Sequence, residues 1–272
     1  MPPVGADFAA KPSTDLVPKL HTTAYYKSIT PATTTQDVDI VTDGVFSRAS
    51  ASGLYVPAGM NLVAAQAIAP VSGSGLPRMR VTAPSLLRIG YPYMRPMEGS
   101  PGATDPNFQV LLDRPVGFPN NEVVGIDVAW NAIVAGAKDI YAILFFRGAN
   151  AALPPGDGFW IRGYSTTAIT TTKSWVAVSP TWDITLPEGN YAVVGFEHVS
   201  DTGAVAARLV FPGSPWRPGT ISIGPTARTH AAFYEGQFGV FGTFAAFAPP
   251  SFEVLVSAAN TYQEFYLRVV KL

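Results

Sequence analysis

Two stretches of this chain carry the same residue types in the same order. RVTAPSLLRIG runs from Arg80 to Gly90, and RLVFPGSPWRPG from Arg208 to Gly219. Arg80 and Arg208 lie 128 positions apart, as do Pro84 and Pro212, while Gly90 and Gly219 lie 129 apart. Other matches keep the order. VPAGMNLV at Val56 faces LPEGNYAV at Leu186, with Pro57 and Pro187 separated by 130; FQV at Phe108 faces FGV at Phe238, again at 130. Glu122-Val123 faces Glu253-Val254 at 131, and the tripeptides ending at Asn131 and Asn260 are 129 apart. Any one match is cheap in a chain with 25 Gly and 25 Pro, and chance alignment is the competing account. Matches that keep one order at spacings between 128 and 131 read as an internal duplication.

A chain built twice folds as two similar units, which sets boundaries. Tyr266 falls opposite Tyr141 at a spacing of 125, so the C-terminal Leu272 maps near Arg147. The first unit is expected over residues 27–147 and the second over 157–272, with GANAALPPG (148–156) as the linker. Residues 1–26 are left as an arm. With Pro2, Pro3, Pro12 and Pro18 and few apolar residues, the arm cannot build a core, so it is expected to be extended and ordered by neighbours.

Inside each unit, strand signals dominate. IDVAWNAIV places Ile126, Val128, Trp130, Ala132 and Val134 on one face, and YAVVGFEHV at Tyr191 is rich in β formers. Similar runs start at Asp37, Arg78, Phe108, Asp139, Phe159, Ser174, Ala206, Phe252 and Phe265, with Pro and Gly clusters between them. Phe238, Phe241, Phe244 and Phe247 recur every third residue, but Gly239 and Gly242 argue for a strand with aromatics on both faces rather than a helix. The fold class expected is all-β, with about eight strand runs per unit, the number of an eight-stranded jelly roll.

Only 14% of the residues are charged while 47% are hydrophobic, against roughly 25% charged in an ordinary soluble domain. Subunit contacts covering much of the surface account for this, as does a surface of Ser, Thr, Gly and Asn. The net charge of −1 offers no electrostatic footprint for nucleic acid or an anionic membrane surface. With no cysteine, disulfides and thiolate sites are excluded. The N-terminus lacks the basic start and apolar core of a secretory signal. The longest uncharged run, Ala49 to Pro77, is broken by Pro57, Gly59, Asn61, Gln66 and Pro70, too short a set of apolar pieces to span a bilayer as a helix.

Candidate chemistry is sparse. The three histidines, His21, His198 and His230, lack metal-ligand spacing and are expected to face solvent or an interface. No Walker A loop, dinucleotide fingerprint or nucleophile elbow occurs, and VSGSG at Val71 reads as a flexible loop. Asp37 and Asp39 share a strand face as a glycosidase pair does, and Asp43 extends them toward a hard-cation site, but solvated carboxylates on an edge strand are the simpler reading. Arg80 and Arg208 either bind an anionic partner or, more simply, each pair with a carboxylate at a barrel corner. Trp160, Trp175, Trp182 and Trp216 form either a sugar platform or core and contact residues. No catalytic residue, cofactor or metal site is assigned.

Two jelly rolls in tandem, after an N-terminal arm and joined by a Pro-rich linker, resemble the double-jelly-roll major capsid proteins of tailless icosahedral viruses of prokaryotes, many of which enclose a membrane. The resemblance covers nearly the whole chain but lies in architecture, so it assigns no functional residue. It implies a structural, non-enzymatic protein of the virion. It also implies a homotrimer whose six barrels form a roughly hexagonal tile, tiles closing into a shell, with neighbouring trimers, other capsid proteins and an internal membrane as partners and no direct contact with nucleic acid. A trimeric jelly-roll spike or glycan-binding module is the alternative, and a β-sandwich carbohydrate-active enzyme the third reading, since sandwiches host all three.

Overall fold

The computed structural model describes residues 18–68, 77–88, 93–94, 96–97, 109–110, 115–119, 121–148, 153–201, 203–224 and 238–272. The chain is all-β and forms two curled sheets. The first takes β1 (Leu20–Ile29), β2 (Gln36–Ile40), β3 (Gly53–Val56), β4 (Asn61–Ile68), β5 (Pro77–Thr82), β6 (Tyr93–Met94), β7 (Pro96–Met97), β8 (Gln109–Val110), β9 (Val116–Gly117), β10 (Glu122–Trp130) and β11 (Lys138–Arg147). A short 3-10 turn, Pro84–Arg88, follows β5. The second sheet takes β12 (Phe159–Ser165), β13 (Trp175–Val178), β14 (Thr181–Trp182), β15 (Asn190–Ser200), β16 (Ala204–Val210), β17 (Gly219–Ile223), β18 (Gly242–Ala245), β19 (Ser251–Val256) and β20 (Gln263–Lys271). Among the described residues the sheets thus hold eleven and nine strands where eight each were expected. The surplus lies in two-residue pieces such as β7, β8 and β14 and in β2, which bridges β1 and β10.

Among the described residues every strand pairing stays within one half. The two halves repeat one pairing order. In the first, β1–β11–β4–β9 forms one layer and β3–β10–β5–β6 the other. In the second, β12–β20–β15–β18 and β13–β19–β16–β17 take the same places in chain order. Even the exceptions recur: β7 runs parallel to β4, and β17 runs parallel to β15. Both β4 and β15 carry a bulge, leaving Val63 and Val194 without a partner in the ladder. Asn61 lies opposite Arg147, and the Leu272 N–H donates to the Asn190 carbonyl. The spacings of 129 and 125 therefore meet in one register.

That register reassigns one match. Arg80 stands opposite Asp127, and Arg208 opposite Glu253. The counterpart of Glu253 is therefore Asp127, whereas Glu122 faces Val56 in β3 and its carboxylate accepts the Ser85 N–H. The boundary expected at Lys27 also falls inside a strand, because β1 pairs with β11 along its whole length from Leu20. The prolines of the arm stop at Pro18, and the β formers of LHTTAYYKSI continue the first half in its place. Residues 1–17, the linker residues 149–152, the VSGSG loop and most of FQVLL lie outside the described residues.

Alternation along β1 and β11 explains how the halves meet. Tyr25, Ile140, Ala142, Leu144 and Phe146 point into the first half's own core with Val124, Ile126, Val128 and Trp130. The opposite face, Leu20, Ala24, Tyr141, Ile143 and Phe145, joins a single buried cluster with the second half. β11 is consequently buried on both faces, while in its counterpart β20 Glu264, Tyr266 and Arg268 stay partly exposed. Phe241 and Phe244 are buried and Phe247 is 90% exposed. Gly242 lets this segment pass close to an aromatic neighbour: a Cβ there would lie 2.5 Å from the Phe211 ring.

Candidate functional site

The seam between the halves holds a buried network of charged and polar groups. His21 sits near the start of β1, with its ring centroid 4.3 Å from that of Phe46. Asp43 lies in the loop after β2, where the Phe46 N–H donates to its Oδ2 at 3.2 Å. The His21 Nε2–Asp43 Oδ2 distance is 2.7 Å. From the second half, Arg208 on β16 donates through Nη1 to Asp43 Oδ1 at 2.5 Å and through Nη2 to the Asp43 carbonyl at 2.8 Å. Its Nη1 also reaches the Thr22 carbonyl at 3.3 Å, and its Nε binds Glu253 Oε2 at 2.5 Å. The guanidinium lies 4.3 Å from the ring centre of Trp175, a contact worth more when desolvated.

Two bonds donated by backbone amides close the seam beside it. The Thr22 N–H donates to the Arg217 carbonyl at 2.8 Å, and the Arg217 N–H donates to His21 Nδ1 at 3.3 Å. An amide can only donate, so Nδ1 is the acceptor and Nε2 carries the hydrogen given to Asp43. Burial pulls the His21 ring below its ordinary range, against the opposing pull of Asp43, and the ring is neutral. Burial alone would raise the Asp43 carboxyl, but the hydrogen bond from the neutral His21 ring together with the charge and hydrogen bond of Arg208 outweigh it and hold the group below the usual carboxylate range. The Arg208 and Asp43 side chains are 2% and 0% exposed. A network this dry is stable only with every partner present.

A second polar chain lies inside the second half. Parallel pairing of β15 and β17 sets His198 beside Ser222, with Nδ1 to Oγ at 2.7 Å, and the ring's Nε2 is 2.6 Å from Gln263 Oε1. The Gln263 amide continues to Asn260, whose Nδ2 donates to Ser200 Oγ at 2.6 Å. A serine on an imidazole has the form of a nucleophile and base. Here both are sealed: His198 is 0% exposed, and burial lowers the ring to about 4. A third cluster is open to solvent on the outer face of β12 and β20, where Arg162 pairs with Asp183 at 2.7 Å and with Glu264, and lies over Tyr164.

The sequence candidates separate accordingly. Arg80 donates through Nε to Asp127 at 2.8 and 2.9 Å, and Arg208 binds Glu253, so both arginines have the carboxylate partner expected. Histidines facing solvent or an interface were expected; His21 does lie at the seam between the halves, but both His21 and His198 are buried, because each ring is paired on both nitrogens. His230 lies outside the described residues. Asp39 pairs with Lys27 at 3.2 Å, and the Asp37 carbonyl accepts from the same Lys27 at 2.9 Å, while Asp43 turns inward to Arg208. The tryptophans scatter: Trp175 backs Arg208, Trp216 packs against the first half's core, Trp182 lies on Phe252, and Trp160 is 37% exposed at the start of β12. Sequence reasoning missed the Arg208–Asp43 pair, whose members lie 165 residues apart.

No family model matches the chain, and no curated protein matches it in sequence. Among solved structures it is similar to the crystal structure of the major capsid protein P2 from Bacteriophage PM2, at 11% identity and a TM-score of 0.26, over 93% of this chain and 97% of that one.

Proposed function

We propose that the chain is a major capsid subunit of an icosahedral virus shell, each half an eight-stranded jelly roll and three chains closing into a pseudo-hexagonal tile. One observation carries the reading: the halves repeat one pairing order and meet head to tail. On this reading the two four-strand layers of each half are the two sheets of a jelly roll. The outer face of β1, β11 and β4 packs on the β16–β17 side of the second half, where the Thr22 N–H reaches the Arg217 carbonyl and Gly219 lies against Thr22. Head-to-tail contact between duplicated units leaves the complementary faces of the same pair open, and repetition of such a contact by rotation closes a ring.

The residues on the open face suit a contact made after folding. At a spacing of 125, buried Tyr141 and Ile143 correspond to Tyr266 and Arg268, both only partly buried. Arg162, Asp183 and Glu264 add ion pairs to that face. Polar surfaces of this kind stay soluble until a partner arrives. On this reading the N-terminal arm ahead of β1 joins neighbouring tiles, the linker around 148–156 connects the rolls, and the protein works by assembly rather than catalysis. The test is mass and image together. Light scattering should give three times the 28.8 kDa chain mass, and electron micrographs should contain hexagonal tiles or shells. A protein that stays monomeric at micromolar concentration overturns the proposal.

A further inference from the structure

We propose that His21 is an acid-released latch between the two halves: a proton on its Nδ1 opens the contact between β1 and the segment from Trp216 to Gly219. The inference is independent of the assembly reading. It rests on the two bonds of one ring. Nε2 is committed to Asp43, whose other oxygen is held by Arg208. The site left for a second proton is Nδ1, and that nitrogen already accepts the Arg217 N–H. A protonated Nδ1 is a donor facing a donor, so the Arg217 amide must withdraw. Its carbonyl holds Thr22 at 2.8 Å, so the withdrawal breaks the second bond of the seam as well.

The charges around the ring set the direction. From the loop after β2 comes Asp43, from β16 Arg208, and from the segment before β17 Arg217; Glu253 on β19 reaches the ring only through Arg208. Asp43 favours a proton, whereas the two arginines and burial oppose it. Arg217 turns its guanidinium back to the Ser214 and Trp216 carbonyls, so its charge travels with the segment that would leave. Opening therefore removes one opposing cation and hydrates the ring, and both changes raise its proton affinity. The seam is also incompletely filled at this point. A cavity of about 10 Å³ lies between His21, Thr22, Phe145, Pro218 and Gly219, about the space of a single water.

The experiment is amide hydrogen exchange with nitrogen NMR of the full chain from pH 7.5 to 5. At pH 7.5 the His21 ring should be the Nε2–H tautomer. Below the ordinary imidazole value near 6.5, protection of the Thr22 and Arg217 amides, corrected for intrinsic exchange, should fall about tenfold per pH unit, the slope of one proton taken up on opening. Amides of β10 and β19 should keep theirs. His21→Gln, which donates to Asp43 and does not titrate, should abolish the step. Should that variant fail to fold, the tautomer and the slope in the unsubstituted protein decide. An Nδ1–H tautomer, protection independent of pH, or loss shared equally by β10 and β19 overturns the latch, as does a step that survives in His21→Gln.

Discussion

Arg80 and Arg208 are one residue written twice in opposite surroundings. Arg80 keeps 30% of its side chain exposed beside Asp127 of its own half, whereas Arg208 is 2% exposed between Glu253 and an aspartate of the other half. Arg208→Ala should strand Asp43 in a dry site and cost about 3–5 kcal/mol. Arg80→Ala, screened by solvent, should cost about 1 kcal/mol or less. Urea unfolding of the two variants decides, and equal losses would sink the distinction. His198 makes a separate prediction. Its folded value of about 4 lies below the ordinary 6.5, so the unfolded chain takes up a proton first as pH falls. The stability it contributes is complete above about pH 6.5 and is lost toward pH 4, on the order of 3 kcal/mol. Melting curves across that range should flatten in His198→Gln relative to the unsubstituted protein. An unchanged slope would mean the ring is already charged. Residue by residue, the sequence identified what kind of partner each arginine takes, because a buried guanidinium needs a carboxylate. It did not identify Asp43, because no local pattern joins a loop of one half to a strand of the other.

Elements were the most legible level. Runs such as DIYAILFF and YAVVGFEHV became β11 and β15 because a continuous apolar run of β formers suits a strand buried on both faces. Two things resisted. The start of β1 was masked by the prolines before it, and β11 is buried on both faces, so its apolar run says nothing about which face meets which half. The start of β17 illustrates how tight that meeting is. A Cβ on Gly219 would lie 2.6 Å from the Ala207 carbonyl oxygen and 2.9 Å from the Thr22 Cβ. Neither neighbour is a flexible side-chain end, so Gly219→Ala should cost about 1–3 kcal/mol by overpacking. The urea midpoint should drop without a change in slope. A variant as stable as the original would show that the seam yields at that point.

At the scale of the molecule the repeat was readable because two offsets, 125 and 129, both survive in the ladder of paired strands. What the repeat could not convey was the polarity of the contact between its copies, which depends on which face lost its charges. The proposed tile makes that polarity testable. Arg162→Gln should lower the melting temperature only slightly, since the ion pairs it loses lie in a cluster open to solvent, while scattering shifts from three chains toward one. Persistence of the trimer would place the contact elsewhere. Arg208 carries a further consequence, and it concerns how far the halves can be treated separately. Its counterpart Arg80 is bonded to an acid of its own half, whereas Arg208 is also bonded to Asp43 of the other. The halves are therefore not interchangeable modules. A mutation in either is judged by its effect on the other, and the two copies can differ in sequence but cannot be parted.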